Sequence, residues 1–240
     1  MNIAMWSGPR NLSTAMMYSF AQRDDCAVMD EPFYAAFLRR SGAPHPMAAE
    51  IIAAHEPDPA AVARRCAAPA PDGRAHLYQK QMTHHMLPGF DLSWMAACRT
   101  VFLIRHPARV VTSYHDKIEN PTLADIGAAE QVALYDEAVR LGDATPLVID
   151  SADVRRAPEA MLRALCEALG IGFQDTMLAW PAGGRPEDGV WAAHWYAAVH
   201  GSTGFAAAEG PLPDVPGPLR AVCAEAMPYY ETLRARALKP

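Results

Sequence analysis

This chain of 240 residues lacks most of what would tie it to a membrane, a metal or a polyanion. No stretch approaches the ~20 consecutive apolar residues of a membrane helix, so no membrane partner is expected. No basic region followed by a long apolar run opens it, so no signal peptide is expected. The five cysteines (Cys26, Cys66, Cys98, Cys166 and Cys223) are odd in number and never form a C-x-x-C pair. That argues against a disulfide framework and a zinc site, and the thiols suit a reducing cytoplasm. Positive charge is in deficit. The formal net charge is −6, and general affinity for nucleic acid comes mainly from neutralising its phosphates, so none is expected. His84 and His85 are adjacent and would point to opposite faces of a strand, which argues against a shared metal. No G-x-x-x-x-G-K-[ST] loop is present, and no internal repeat.

What is there is an ordinary globular composition, 51% hydrophobic and 20% charged, enough for one domain with a full core. Apolar runs at 2–6 and 100–107 read as strands, and so do 26–33, which ends in acids, 75–82 and TPLVIDSADV at 145–154. Between them, 13–21, 108–118, 128–141 and 157–170 read as helices, with a short one at 94–98 and a last one at 216–238. Residues 35–75 suggest one or two short helices broken near Pro44, Pro57 and Pro69. After Gly183 the chain turns irregular. Strands alternating with helices predict an α/β fold of three layers, P-loop-like, with a mostly parallel central sheet flanked by helices. Ligands in such sheets gather beyond the carboxyl ends of the strands.

Two stretches lie there. The first, GPRNLST, follows the first strand and opens a helix: Gly8, Pro9, Arg10, Asn11, Leu12, Ser13 and Thr14. Backbone N–H groups at a helix start, two hydroxyls and a guanidinium fork suit a phosphate. The plainer reading makes Ser13 a helix cap and Arg10 a surface charge. The second, RHPARVVTS, places Arg105 at a strand tip and Ser113 eight residues later, with Pro107 favouring a tight turn. Both could reach one phosphate, or Arg105 could pair with a core acid. Two anion sites on one sheet edge suit a nucleotide phosphorylated at both ends of its ribose.

Together these stretches resemble the superfamily of sulfotransferases that use 3′-phosphoadenosine 5′-phosphosulfate (PAPS). Pro9-Arg10-Asn11-Leu12-Ser13-Thr14 is similar to its first loop, with Leu12 where the family usually has Gly. Arg105, Pro107 and Ser113 match its 3′-phosphate motif in type and spacing. VIDSADVRRAPEAMLRALCEALGI (148–171) resembles its late strand, acidic turn and helix. The resemblance implies a single domain over 1–240: a nucleotide-binding core at 1–175, and a segment at 176–240 that covers cofactor and acceptor. HGSTGF, with Ser202 and Thr203, is the stretch offered for the loop that closes over the nucleotide.

It also implies sulfuryl transfer from PAPS, without a metal, to a hydroxyl of a small molecule or glycan. Arg10 would stabilise the leaving phosphate. Glu31, 21 residues after Arg10, stands where carbohydrate and tyrosine sulfotransferases carry their base. His84 or His85 in YQKQMTHHMLP corresponds to the base of small-molecule sulfotransferases, and Lys80 to a contact with the sulfonate or the acceptor. Glu31 is placed first and His84 next; Asp30 is expected to point the other way. Trp191, His194 and Trp195 either stack on adenine, line the acceptor pocket or pack the core. Acceptor loops are expected at 34–75 and 117–130, and Asp116 and Lys117 on a solvated face. Two alternatives stay open: a P-loop phosphotransferase using ATP and Mg²⁺, with Asp150 as its metal acid, and a non-catalytic module that binds 3′-phosphoadenosine 5′-phosphate (PAP).

Overall fold

A computed structural model describes residues 1–115 and 121–239. Asp116, Lys117 and the end of the helix expected at 108–118 lie outside the described residues. The elements are β1 (Asn2–Ser7), α1 (Ser13–Phe20), β2 (Cys26–Asp30), α2 (Tyr34–Ser41), α3 (Ala48–Ala54), α4 (Pro59–Ala67), β3 (His76–Met82), β4 (Cys98–Ile104), α5 (Pro107–His115), α6 (Leu123–Ile126), α7 (Ala128–Arg140), β5 (Leu147–Asp150), α8 (Ser151–Arg156), α9 (Pro158–Leu169), α10 (Ala192–Trp195), α11 (Ala197–His200) and α12 (Arg220–Arg234). The five strands form one sheet in the order β2-β3-β1-β4-β5, and every pairing is parallel.

Strand alternation sorts the core into two faces. Ile3 and Met5 of β1, Val101 and Leu103 of β4 and Ile149 of β5 pack against α1, α8 and α9. Ala4, Trp6, Phe102, Ile104 and Val148 point the other way, against α4, α7 and α12. A sheet buried on both faces explains the near-continuous apolar runs in β1 and β4, while β3 buries Gln79, Lys80 and Gln81. Because all strands run the same way, Ser7, Asp30, Met82, Ile104 and Asp150 end on one edge.

Several boundaries differ from expectation for local reasons. The second strand stops at Asp30, because Glu31 takes a left-handed φ of 38° and Pro32 follows. Residues 35–75 hold parts or all of three α-helices and a 3₁₀ turn at Pro71–Gly73, where one or two short helices were expected. Asp58 caps the third of these, accepting from the N–H groups of Ala60 and Ala61 ahead of Pro59. The run at 145–154 is strand only to Asp150, whose carboxylate accepts from Ala152 N–H at 2.8 Å and starts α8. Residues 93–97 form a 3₁₀ turn. The irregular tail contains the one-turn helices α10 and α11, and α12 runs through Pro228.

Candidate active site

The first loop turns tightly at Gly8. A Cβ there would lie 2.4 Å from the carbonyl oxygen of Ile126, so only glycine fits. Arg10 and Leu12 both adopt left-handed backbone, φ 62° and 77°. Leu12 takes the N-cap position of α1 without any side-chain cap, so Ser13 is the first helical residue and does not cap. The first intrahelical bond runs from Met16 N–H to the Leu12 carbonyl, 3.1 Å. The N–H groups of Ser13, Thr14 and Ala15 are therefore without intrahelical partners, and all three residues line a cavity of about 300 Å³. Asn11 also borders it, but its Nδ2 donates to Leu103 O at 3.2 Å and tethers the loop to β4.

The two expected anion sites meet. Arg10 Nε donates to Ser113 Oγ at 3.0 Å, and Arg105 Nη1 donates to the Arg10 carbonyl at 2.6 Å. Ser113 thus meets the first loop's arginine, whereas the sequence pairs it with Arg105. The guanidinium of Arg105 pairs with Glu209, an acid from the tail rather than from the core. Arg109 and Arg155 reach the same carboxylate, at 3.0 and 2.9 Å.

Opposite the loop, Lys80 is 1% exposed near the end of β3. Its Nζ lies 3.0 Å from Asp30 Oδ1 and 2.5 Å from Glu31 Oε1, and donates to Tyr196 Oη at 2.5 Å. The left-handed turn at Glu31 ends the strand alternation, so both acids face one ammonium; the expectation that Asp30 points away is corrected. Burial raises the pKa of Glu31 and the charge of Asp30 adds to this, while Lys80 opposes it. Burial opposes the charge on Lys80, but the two carboxylates hold its pKa above the usual value.

His84 and His85 sit in a 3₁₀ turn, Thr83–His85, and not on a strand. Their side chains therefore do not point to opposite faces: both rings line the cavity, their centroids 4.4 Å apart. His85 stacks between Tyr34 and Phe37, and its Nε2 is 4.0 Å from Glu31 Oε2. Burial depresses both, His84 to about 3 and His85 well below the ordinary value.

In the tail, Ser202 borders the cavity, accepts from Trp180 Nε1 and donates to Val199 O. Thr203 is exposed, and only its carbonyl is engaged, by Trp180 N–H. Trp191 is buried against Tyr34, His194 is exposed, and only Trp195 of that cluster lines the cavity. Asp150 is spent on the α8 cap and on Tyr230 and Arg234. Tyr196, Arg109, Arg155 and Glu209 were not anticipated. Tyr196 meets Lys80 and Asp30 across 116 and 166 positions, Arg155 meets Glu209 across 54, and no local pattern marks them.

The sulfotransferase-domain family matches residues 1–237, and the chain belongs to that family. It is 38% identical over 232 residues to branched-chain-amino-acid aminotransferase-like protein 2 of Arabidopsis thaliana, a match that covers 97% of this chain and 41% of that protein. The corresponding protein 1 is 37% identical over 233 residues, with the same shares. The chain thus spans about two-fifths of the length of these relatives. Among solved structures, the sulfotransferase domain of the Synechococcus PCC 7002 olefin synthase aligns at TM-score 0.55 and 18% identity, covering 99% of this chain and 96% of that one. A sulfotransferase from Alicyclobacillus acidocaldarius aligns at 0.56 and 14% identity, with the same coverage. These likenesses show the fold. No helix among the described residues is long and apolar enough to cross a membrane.

Proposed function

We propose that this domain transfers the sulfuryl group of PAPS, in line, to a hydroxyl of a small molecule. The observation that carries the reading is the contact of Arg105 with the Arg10 carbonyl, which joins two anion sites into one seat along a single cavity. Gly8 and Pro9 shape the loop, and Leu12 opens α1. The N–H groups and hydroxyls of Ser13 and Thr14 bind the 5′-phosphate. Arg10, braced by Ser113, meets the charge that grows on the leaving phosphate. Arg105 takes the 3′-phosphate, and the tail around Ser202 covers the nucleotide. PAPS, when bound, supplies the activated sulfuryl group; the chain's own residues orient it and handle the acceptor proton.

Glu31 takes that proton. Its carboxylate borders the cavity, and burial makes it a stronger base than an exposed glutamate. Lys80 holds Glu31 in place. A second cavity of about 770 Å³ shares His45, His84 and Tyr114 with the first. Phe37, Met86, Phe90, Leu92 and Leu134 line it, which favours a hydroxyl compound with an apolar body over a glycan.

Calorimetric titration with PAP, with adenosine 5′-phosphosulfate and with ATP–Mg²⁺ tests the reading. PAP is expected to bind without metal. Arg105→Ala should weaken PAP at least tenfold, on the order of the 1.5–3 kcal/mol of a charge-assisted bond, and leave adenosine 5′-phosphosulfate nearly unchanged. Equal losses for both ligands would remove Arg105 from the 3′-site. Binding of ATP–Mg²⁺ but not PAP would move the loop to phosphotransfer.

A further inference from the structure

Glu209 has no role in that mechanism, yet its side chain is only 3% exposed and is held by three guanidiniums. They come from three separate places: Arg105 just past β4, Arg109 on α5 and Arg155 on α8. The segment that carries Glu209 is otherwise a surface strap. Ala206 to Ala208 and Gly210 to Leu212 are exposed, and no helix or strand includes them. Main-chain contacts are few: Arg155 Nε donates to Ala207 O at 2.9 Å and Arg109 to Gly210 O. The strap dips one acid into a basic seat and leaves again.

That seat fits a phosphate better than a carboxylate. Three guanidiniums against one carboxylate leave two formal positive charges, while a phosphate monoester brings nearly two negative ones and three acceptor oxygens. Glu209 leaves the seat partly unsatisfied: its Oε2 is buried 3.0 Å from Arg109 Nε but accepts no hydrogen bond. Arg105 and Arg155 border the cavity, so the carboxylate stands at its end, beside the first loop.

We infer that Glu209 is a resident counter-ion on the seat of the nucleotide's second phosphate, and that the strap of residues 206–214 releases it when a phosphate monoester enters. Arg109 and Arg155 then bind that phosphate together with Arg105. The inference rests on the nucleotide reading above. Its consequence is selectivity: only a ligand bearing the second phosphate exchanges with Glu209. Displacing the carboxylate lowers the apparent affinity, because the open seat is a minor state.

An endoproteinase that cuts after glutamate reads the release in the unmodified chain, since its target is Glu209 itself. Cleavage between Glu209 and Gly210, followed by mass spectrometry, should accelerate when PAP is added and stay unchanged with adenosine 5′-monophosphate. In parallel, Glu209→Gln should raise PAP affinity by about tenfold and leave the monophosphate's affinity alone. If the parent chain binds PAP while cleavage stays unchanged and Glu209→Gln binds no tighter, Glu209 is a fixed brace for the arginines and the inference is overturned. If neither form binds PAP, the nucleotide reading itself fails, and the inference falls with it.

Discussion

Two side chains at the cavity wall compete for the acceptor proton, and burial moves them in opposite directions. For Glu31, burial and the charge of Asp30 raise the pKa above that of a free carboxylate, and Lys80 only partly offsets them. For His84, burial lowers it to about 3. A base works only when deprotonated, so the two assignments predict different acid limbs. With Glu31 as base, kcat/KM for transfer from PAPS rises with pH through a limb above about 4.3, the ordinary glutamate value. With His84 as base, the limb lies near its depressed value, and the nitrogen is a poor acceptor at neutral pH. We expect the higher limb. Glu31→Gln should cut the rate roughly 10²–10⁴-fold and abolish that limb, whereas His84→Ala should keep it. A limb that survives Glu31→Gln and vanishes in His84→Ala would hand the role to the histidine.

The histidine turn owes its position to a neighbouring element. Gly127 joins α6 to α7 at φ 64°, and its carbonyl accepts from Thr83 Oγ1 at 2.9 Å. A Cβ there would stand 2.3 Å from that hydroxyl and 3.1 Å from His84 N. Gly127→Ala must therefore shift the 83–85 turn or α6, besides straining the backbone. A cost of roughly 2–4 kcal/mol is expected, a fall of about 4–16 °C in Tm by thermal unfolding, with weaker acceptor turnover. An unchanged Tm would show that the turn yields freely. Elements of this kind were legible where a local rule governs them. The strands at β1 and β4 announce themselves as apolar runs, and Pro158 and Gly170 bracket α9. The end of β2 was not legible, because a glutamate in left-handed backbone follows no propensity. Nor was α8, since TPLVIDSADV reads as strand until the Asp150 cap is seen. Gly127 looks in sequence like any loop glycine; only the packing of α6 on the 83–85 turn shows its use.

At the scale of the whole molecule, the site is assembled by the tail closing on the sheet edge, and this was the least legible part. Arg10, Glu31 and Arg105 stand at strand ends, where a parallel sheet puts ligands. Tyr196 and Glu209 come from a stretch without periodicity and meet partners more than a hundred positions away, Lys80 for the first and Arg105 for the second. Tyr196 is the inner anchor of that closure. Its hydroxyl accepts from Lys80 Nζ and from Trp191 Nε1 at 3.0 Å and donates toward Asp30 at 2.8 Å, all out of water. Tyr196→Phe keeps the ring and its packing but leaves a buried ammonium and an indole N–H short of an acceptor. An unmade buried bond costs about 1–3 kcal/mol, and here the cost falls on the joint between tail and sheet. Hydrogen exchange should therefore quicken across α10 and α11 in the variant and stay slow in β1, β3 and β4. Because Asp30 and Glu31 would still compensate Lys80, the sheet edge itself should hold. Uniformly faster exchange would place Tyr196 in the global core instead. Unchanged exchange would mean that the strap at Glu209 and the pairing of Ala179 with Gly204 suffice to hold the tail down.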